Sequence, residues 1–269
     1  MNKKLELPTL NMGTFQCKDE DLIEVILHGL EIGYQGIDTA QIYNNEGIIG
    51  KAIQQTSINR DDFFLTTKVW KDNLTKNNFI PSVEESLTKL NTDYVDLLLI
   101  HWPPRKSDLS GMYELLAKCK EENLCRYIGV SNFNIEQMEQ AREMGIELYA
   151  NQVEFHPLIS QILLKEYLDK YGIKLMAYAP FASGQIFGNK TIKEMASRYR
   201  KTKSQVTLRW LLQNPNVYPV PKTMSRLRLE ENINIFDFQL NEYDFSTIDA
   251  LKRVNIRFFN PPALAPEWD

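Results

Sequence analysis

Seven short apolar runs in this sequence end on polar residues able to do chemistry: Asp38, Lys68, His101, Ser131 with Asn132, Gln152, Tyr178, and Lys222 with Thr223. Tyr43 follows Asp38 by five residues. A phenol, with a pKa of about 10, donates a proton poorly at neutral pH unless neighbours stabilise its phenolate. A lysine ammonium would do so, and a carboxylate would hold that ammonium charged and in place. An imidazole such as His101 could polarise or orient a carbonyl. This is equipment for delivering a proton to a carbonyl oxygen. It contains no electron source, so a reduction needs a cofactor. A Schiff base on Lys68, as in a barrel aldolase, is a competing use of the same residues.

Singly, each residue has a structural explanation. Asp38 with Thr39 suits a helix cap, Lys68 a solvated position, His101 a core histidine, and Ser131 with Asn132 a turn. Structural roles explain their joint placement at run ends less well.

The runs are 33–38, 63–68, 94–101, 127–132, 147–152, 173–178 and 216–222. Several are continuously apolar, as in parallel strands covered on both faces. Helical patterns lie between them. One starts acidic at DEDLIEVILHGLEIG, one has Pro81 near its start, and TKSQVTLRWLLQN has a Thr202-to-Gln205 capping-box spacing. The run ends recur at about 31 residues, one βα unit each. An earlier short strand near 9–15 makes eight units. With no linker in view, the expectation is a single-domain (β/α)8 TIM barrel over 1–269, with a short N-terminal hairpin and a C-terminal tail over the barrel. An open doubly wound sheet is the alternative, but it usually carries GxGxxG after its first strand, and none occurs here.

Apolar residues are 43% and charged residues 25% of the 269-residue chain, which excludes a disordered chain. A net charge of −4 argues against a general nucleic-acid binder, so no nucleic acid is expected. No apolar run reaches a membrane-spanning length, and the N-terminal residues suggest no signal core. Cys17, Cys119 and Cys125 show no metal spacing or disulfide framework, and His28, His101 and His156 lie far apart. The expectation is a cytoplasmic protein without metal.

The segments GIDTAQIYNNEGIIGKAI (36–53), LTTKVW (65–70), LLLIHWP (97–103), IGVSNF (128–133), NQVEFHP (151–157), AYAPFASG (177–184) and VPKTMSRLRLEEN (220–232) together resemble the aldo-keto reductase superfamily. The HWP string and the PPALAPEWD end resemble its bacterial 2,5-diketo-D-gluconate reductase-like branch. The resemblance implies NADPH-dependent reduction of aldehydes or ketones by direct hydride transfer, by a cytoplasmic monomer acting on a small carbonyl. It implies that Tyr43 is the general acid, that Lys68 lowers its pKa, that Asp38 supports Lys68, and that His101 orients the carbonyl. Ser131, Asn132 and Gln152 match positions that hold the nicotinamide carboxamide, and Tyr178 the ring that stacks on nicotinamide. Lys222, Thr223 and Arg228 match a 2′-phosphate grip, which favours NADPH over NADH. Glu231 and Asn232 match adenine contacts. On the same fold, a cofactor-binding redox-sensing regulator is the alternative function.

Three residues depart from the family pattern. Phe15 stands where many members have tryptophan, and Ala179 and Phe181 replace a common serine and leucine. Phe15, Trp102 and Trp70 are candidate pocket walls. His156 and His28 are read as structural, and Cys17 falls close to the pocket without an assigned redox role. The loop at 102–110 and the segment 181–189 are short, and the tail 255–269 is rich in proline and aromatics, suited to closing over the pocket.

Overall fold

The computed structural model describes residues 5–104 and 108–269. Eight parallel strands follow one another in sequence order: β1 (Asn11–Gly13), β2 (Gly36–Asp38), β3 (Phe64–Val69), β4 (Val95–Ile100), β5 (Cys125–Ser131), β6 (Ala150–Glu154), β7 (Lys174–Tyr178) and β8 (Val217–Pro219). The Gly13 N–H donates to the Pro221 carbonyl at 2.9 Å, which brings the end of the sheet back to its beginning and nearly closes a barrel. The helices α1 (Asp21–Glu31), α2 (Glu46–Gln55), α3 (Phe79–Leu90), α4 (Ser110–Glu121), α5 (Ile135–Glu143) and α6 (Ile162–Tyr171) each link consecutive strands. The link from β7 to β8 is the longest because it holds two helices, α7 (Lys190–Tyr199) and α8 (Lys203–Gln213). After β8 come α9 (Arg226–Ile233) and α10 (Glu242–Asp249).

Local sequence accounts for these elements. In α1 the buried Leu22, Val25, Ile26 and Leu30 recur at helical spacing and form one apolar stripe. The chain then turns at Gly33, whose φ of +103° suits a residue without Cβ. Thr202 and Gln205 form the reciprocal capping box that their spacing predicts, at the start of α8. Pro81 lies in the first turn of α3, where its missing N–H costs little.

Successive strand residues face opposite ways. Phe64, Leu97, Leu99, Ala150, Met176 and Val220 pack with Leu7 in a cluster inside the barrel. Ile37, Leu98, Ile100, Val153, Leu175 and Ala177 belong to the larger core beneath the helices. Gly129 is needed on the interior face, because a Cβ there would lie 2.4 Å from the Ala150 carbonyl oxygen.

The expected N-terminal hairpin does not form in residues 5–10, and residues 1–4 lie outside the described residues. β1 pairs in parallel with β2 on one edge and meets the segment after β8 on the other. Closing a parallel barrel leaves it no edge for an antiparallel partner. The expectation of a short 102–110 loop falls partly on residues 105–107, which also lie outside the described residues. Among the described residues, no helix is long and apolar enough to cross a membrane.

Candidate active site

Strand parity brings the candidates together. Lys68 is four residues after Phe64, His101 two after Leu99, Gln152 two after Ala150, and Tyr178 two after Met176, so all share the interior face. They lie at or near the C-terminal ends of their strands, at the mouth where barrel active sites form. Tyr43 sits on a short 3-10 turn, Gln41–Tyr43, after β2. Gln41 braces that turn. Its side-chain oxygen accepts from the Trp70 N–H at 2.8 Å, and its amide donates to the Ser82 carbonyl at 3.0 Å.

At the floor, the fully buried Lys68 ammonium donates to Asp38 Oδ1 at 2.6 Å and to the Thr39 carbonyl at 2.7 Å. Its Nζ lies 5.2 Å from the centre of the Tyr43 ring. The Tyr43 ring meets His101 edge-on at 5.5 Å, and Trp70 meets His101 at 5.3 Å.

Burial pushes the Tyr43 phenol well above its usual range, with the Asp38 charge and Tyr178 adding to the effect. Desolvation is the largest of these influences, since burial disfavours the charged phenolate. Burial also lowers Lys68 itself, against the opposing effect of Asp38. His101 is held well below its ordinary value by burial and then by Lys68. At neutral pH the mouth therefore presents a protonated phenol and a neutral imidazole.

The next group forms one hydrogen-bonded chain. Gln152 Nε2 donates to Asp38 Oδ2 at 2.6 Å. Ser131 Oγ donates to the Gln152 carbonyl at 2.8 Å, and Asn132 Nδ2 donates to the His101 carbonyl at 3.1 Å. The Tyr178 hydroxyl donates to Asn132 Oδ1 at 2.8 Å. Asn132 has a left-handed backbone, φ +64°, which asparagine tolerates better than most residues.

One cleft of about 1190 Å³ runs from Phe15, Tyr43, Trp70, His101 and Trp102 past Ser131, Asn132, Gln152 and Tyr178 to Lys222, Thr223, Arg228, Glu231 and Asn232. Every sequence-derived candidate lines it except Lys68, which lies sealed beneath. At the far end, Lys222 and Arg228 make no ion pair among the described residues, whereas the neighbouring Arg226 pairs with Glu24 at 2.5 Å. Thr223 Oγ1 accepts from the Ser225 N–H at 3.0 Å, and Glu231 accepts from the Thr202 hydroxyl at 2.6 Å. The segment after β7 lines the middle of the cleft, with left-handed backbone at Ala179, Ala182, Ser183 and Gly184. Such outliers cluster at functional sites. An elongated cleft with an aromatic and amide middle and a cationic end fits a dinucleotide that carries an extra phosphate.

Sequence reasoning named the tail 255–269 as suited to closing over the pocket but singled out none of its residues; Phe258, Phe259, Asn260 and Pro261 line the cleft. Phe15 stacks edge-on with Tyr43 at 5.2 Å and meets Phe259 at 6.4 Å. Trp102 meets Trp268 at 6.4 Å. Interior strand parity also points to Glu154, two residues beyond Gln152. Its buried carboxylate pairs with His156 at 2.9 Å, consistent with a structural His156. His28 pairs with Glu230 at 2.8 Å and ties α1 to α9. Cys17 is buried with its sulfur 3.7 Å from the Phe15 carbonyl.

The family model described as Aldo/keto reductase family matches residues 9–253. The chain is 40% identical to a methylglyoxal reductase DkgB of Yersinia pestis over 270 residues, covering 98% of this chain and 100% of that one. It is 36% identical to a glyoxal reductase of Bacillus subtilis (strain 168), covering 94% of this chain and 92% of the relative. A crystal structure provisionally assigned as a 2,5-diketo-D-gluconic acid reductase B superposes with a TM-score of 0.95 at 41% identity, covering 98% of this chain and 94% of that one. The chain belongs to the aldo/keto reductase family and is an oxidoreductase acting on carbonyl groups.

Proposed function

We propose that this protein reduces small aldehydes and ketones, including α-oxoaldehydes, to alcohols with NADPH. The observation that carries the reading is one continuous cleft that joins Tyr43 and His101 at one end to Lys222 and Arg228 at the other, two cations that make no ion pair among the described residues. Bound NADPH supplies the hydride. Ser131, Asn132 and Gln152 would hold its carboxamide, and Tyr178 its ring. Lys222, Thr223 and Arg228 would hold the 2′-phosphate, with Glu231 and Asn232 at the adenine.

The chain's own work is to orient the carbonyl and deliver the proton. His101, kept neutral by burial, can donate one N–H toward the carbonyl oxygen and fix its direction. Tyr43 donates its phenolic proton to the same oxygen. A developing alkoxide is a stronger base than a phenolate, so a phenol with a raised pKa still protonates it. The resulting phenolate lies beside the Lys68 ammonium, which Asp38 holds in place. Phe15, Trp70 and Trp102 exclude water from the reacting oxygen. As the family resemblance implies, the protein acts as a monomer.

The test is NADPH consumption, followed at its absorbance band, over a panel of small aliphatic, dicarbonyl and aryl aldehydes. Turnover is expected, and Tyr43→Phe should lower kcat by about 10²–10⁴-fold with NADPH affinity nearly unchanged. Tight NADPH binding without turnover of any carbonyl would favour a redox-sensing role. Near-normal turnover in the phenylalanine variant would remove Tyr43 as the acid.

A further inference from the structure

Glu154 ends β6 on the barrel's interior face, is fully buried, and takes no part in the proton delivery described above. Its carboxylate reaches a segment over 100 residues away in sequence. Oε1 accepts from the Phe258 N–H at 2.8 Å, and Oε2 accepts from the Phe259 N–H at 2.8 Å. His156 Nδ1 accepts from the Leu158 N–H at 3.2 Å, so its ring proton is on Nε2, which donates to Glu154 Oε1 at 2.9 Å. A buried carboxylate persists only when donors satisfy it, and two of these three donors belong to the tail.

Two successive amides converge on one carboxylate only in a turned backbone. The pair therefore fixes how the Phe258 and Phe259 rings leave the chain. The Phe259 ring stands edge-on to Tyr178 at 5.5 Å, in the wall of the cleft. The far end of the tail is tied down separately. Asn134 Nδ2 donates to the Glu267 carbonyl at 2.8 Å, and the Asp269 carboxylate accepts from the Ile135 N–H at 3.1 Å. Between the two anchors the tail lines the cleft at Phe258–Pro261, where Phe259 meets Phe15 at 6.4 Å, and farther on Trp268 meets Trp102 at 6.4 Å.

We infer that Glu154 is a positioning residue that latches the C-terminal strap over the cleft and so sets the aromatic outer wall that admits bulky carbonyl substrates. The inference rests on the reading of that cleft as the carbonyl site.

Glu154→Gln keeps the shape but turns one acceptor oxygen into an NH2 group facing an N–H donor. In this variant, KM for an aryl aldehyde should rise about tenfold. The kcat for a small aliphatic dicarbonyl should stay within about twofold, and NADPH affinity by fluorescence titration should be unchanged. Amide hydrogen exchange at 256–261 should accelerate at least about tenfold. An aryl-aldehyde KM within twofold of wild type would overturn the inference. So would unchanged exchange at 256–261, which would mark Glu154 as a stabiliser of β6 alone. Exchange does not depend on turnover. A strap that loosens in the variant while wild type reduces no carbonyl would count against the reductase reading and not against the latch.

Discussion

The His101 imidazole shows how burial decides chemistry at a single residue. It is 8% exposed, its Nδ1 has no hydrogen-bond partner among the described residues, and the Lys68 ammonium lies on the same interior face. Both influences disfavour a second proton, which suits a group meant to donate a neutral N–H. The same fact couples to stability. The unfolded chain takes up a proton at this histidine below about pH 6.5, and the folded chain does not until well below that. The unfolded state then binds more protons, so this contribution is complete above pH 6.5 and is lost as pH falls toward the folded value. The unfolding free energy from urea titration should fall between pH 6.5 and 5 by up to about 1.4 kcal/mol per pH unit in excess of His101→Asn. Parallel pH profiles for the two proteins would refute it.

Among the elements, the segment after β8 and helix α9 line the end of the cleft proposed to hold the cofactor. Ser225 caps α9 by accepting from the Arg228 N–H at 3.4 Å, and Thr223 in turn accepts from Ser225. This short relay fixes the turn that carries Lys222, Thr223 and Arg228 at the cleft's edge. Arg226, one turn position away, is spent on Glu24. A guanidinium left unpaired beside a hydroxyl suits a phosphate dianion through charge-assisted hydrogen bonds. Arg228→Ala should therefore weaken NADPH binding by about 10- to 100-fold and NADH binding by less than about threefold, as measured by fluorescence titration. Equal losses for both nucleotides would sink the phosphate assignment. The capping boxes and apolar stripes of the helices were legible in the sequence because they depend on neighbours three or four residues away. The missing N-terminal hairpin was not, because what β1 can pair with depends on whether β8 returns to its other edge.

At the scale of the whole molecule, the two ends of the barrel divide the work. The proposed chemistry lies at the C-terminal mouth, and a charged cluster braces the opposite end. There the fully buried Asp96 at the start of β4 forms an ion pair with Arg60 at 2.8 Å and accepts from Arg126 at 3.0 Å and from the Leu65 N–H at 2.9 Å. Both guanidiniums stack on Tyr94, at 4.1 and 4.2 Å from its ring centre. Removing one charge strands its partners, so Asp96→Asn should cost about 3 kcal/mol of unfolding free energy with kcat within twofold of wild type. A matching loss of kcat would show that the two ends are coupled. The sequence by itself determined the eight βα units and the residues at the barrel mouth, since a strand's period of two and the interval between strand ends are local properties. Only the tertiary structure decided that burial raises the Tyr43 phenol and that Glu154 meets Phe258 and Phe259. Those outcomes depend on desolvation and on contacts between residues 104 and 105 positions apart, which no local pattern encodes.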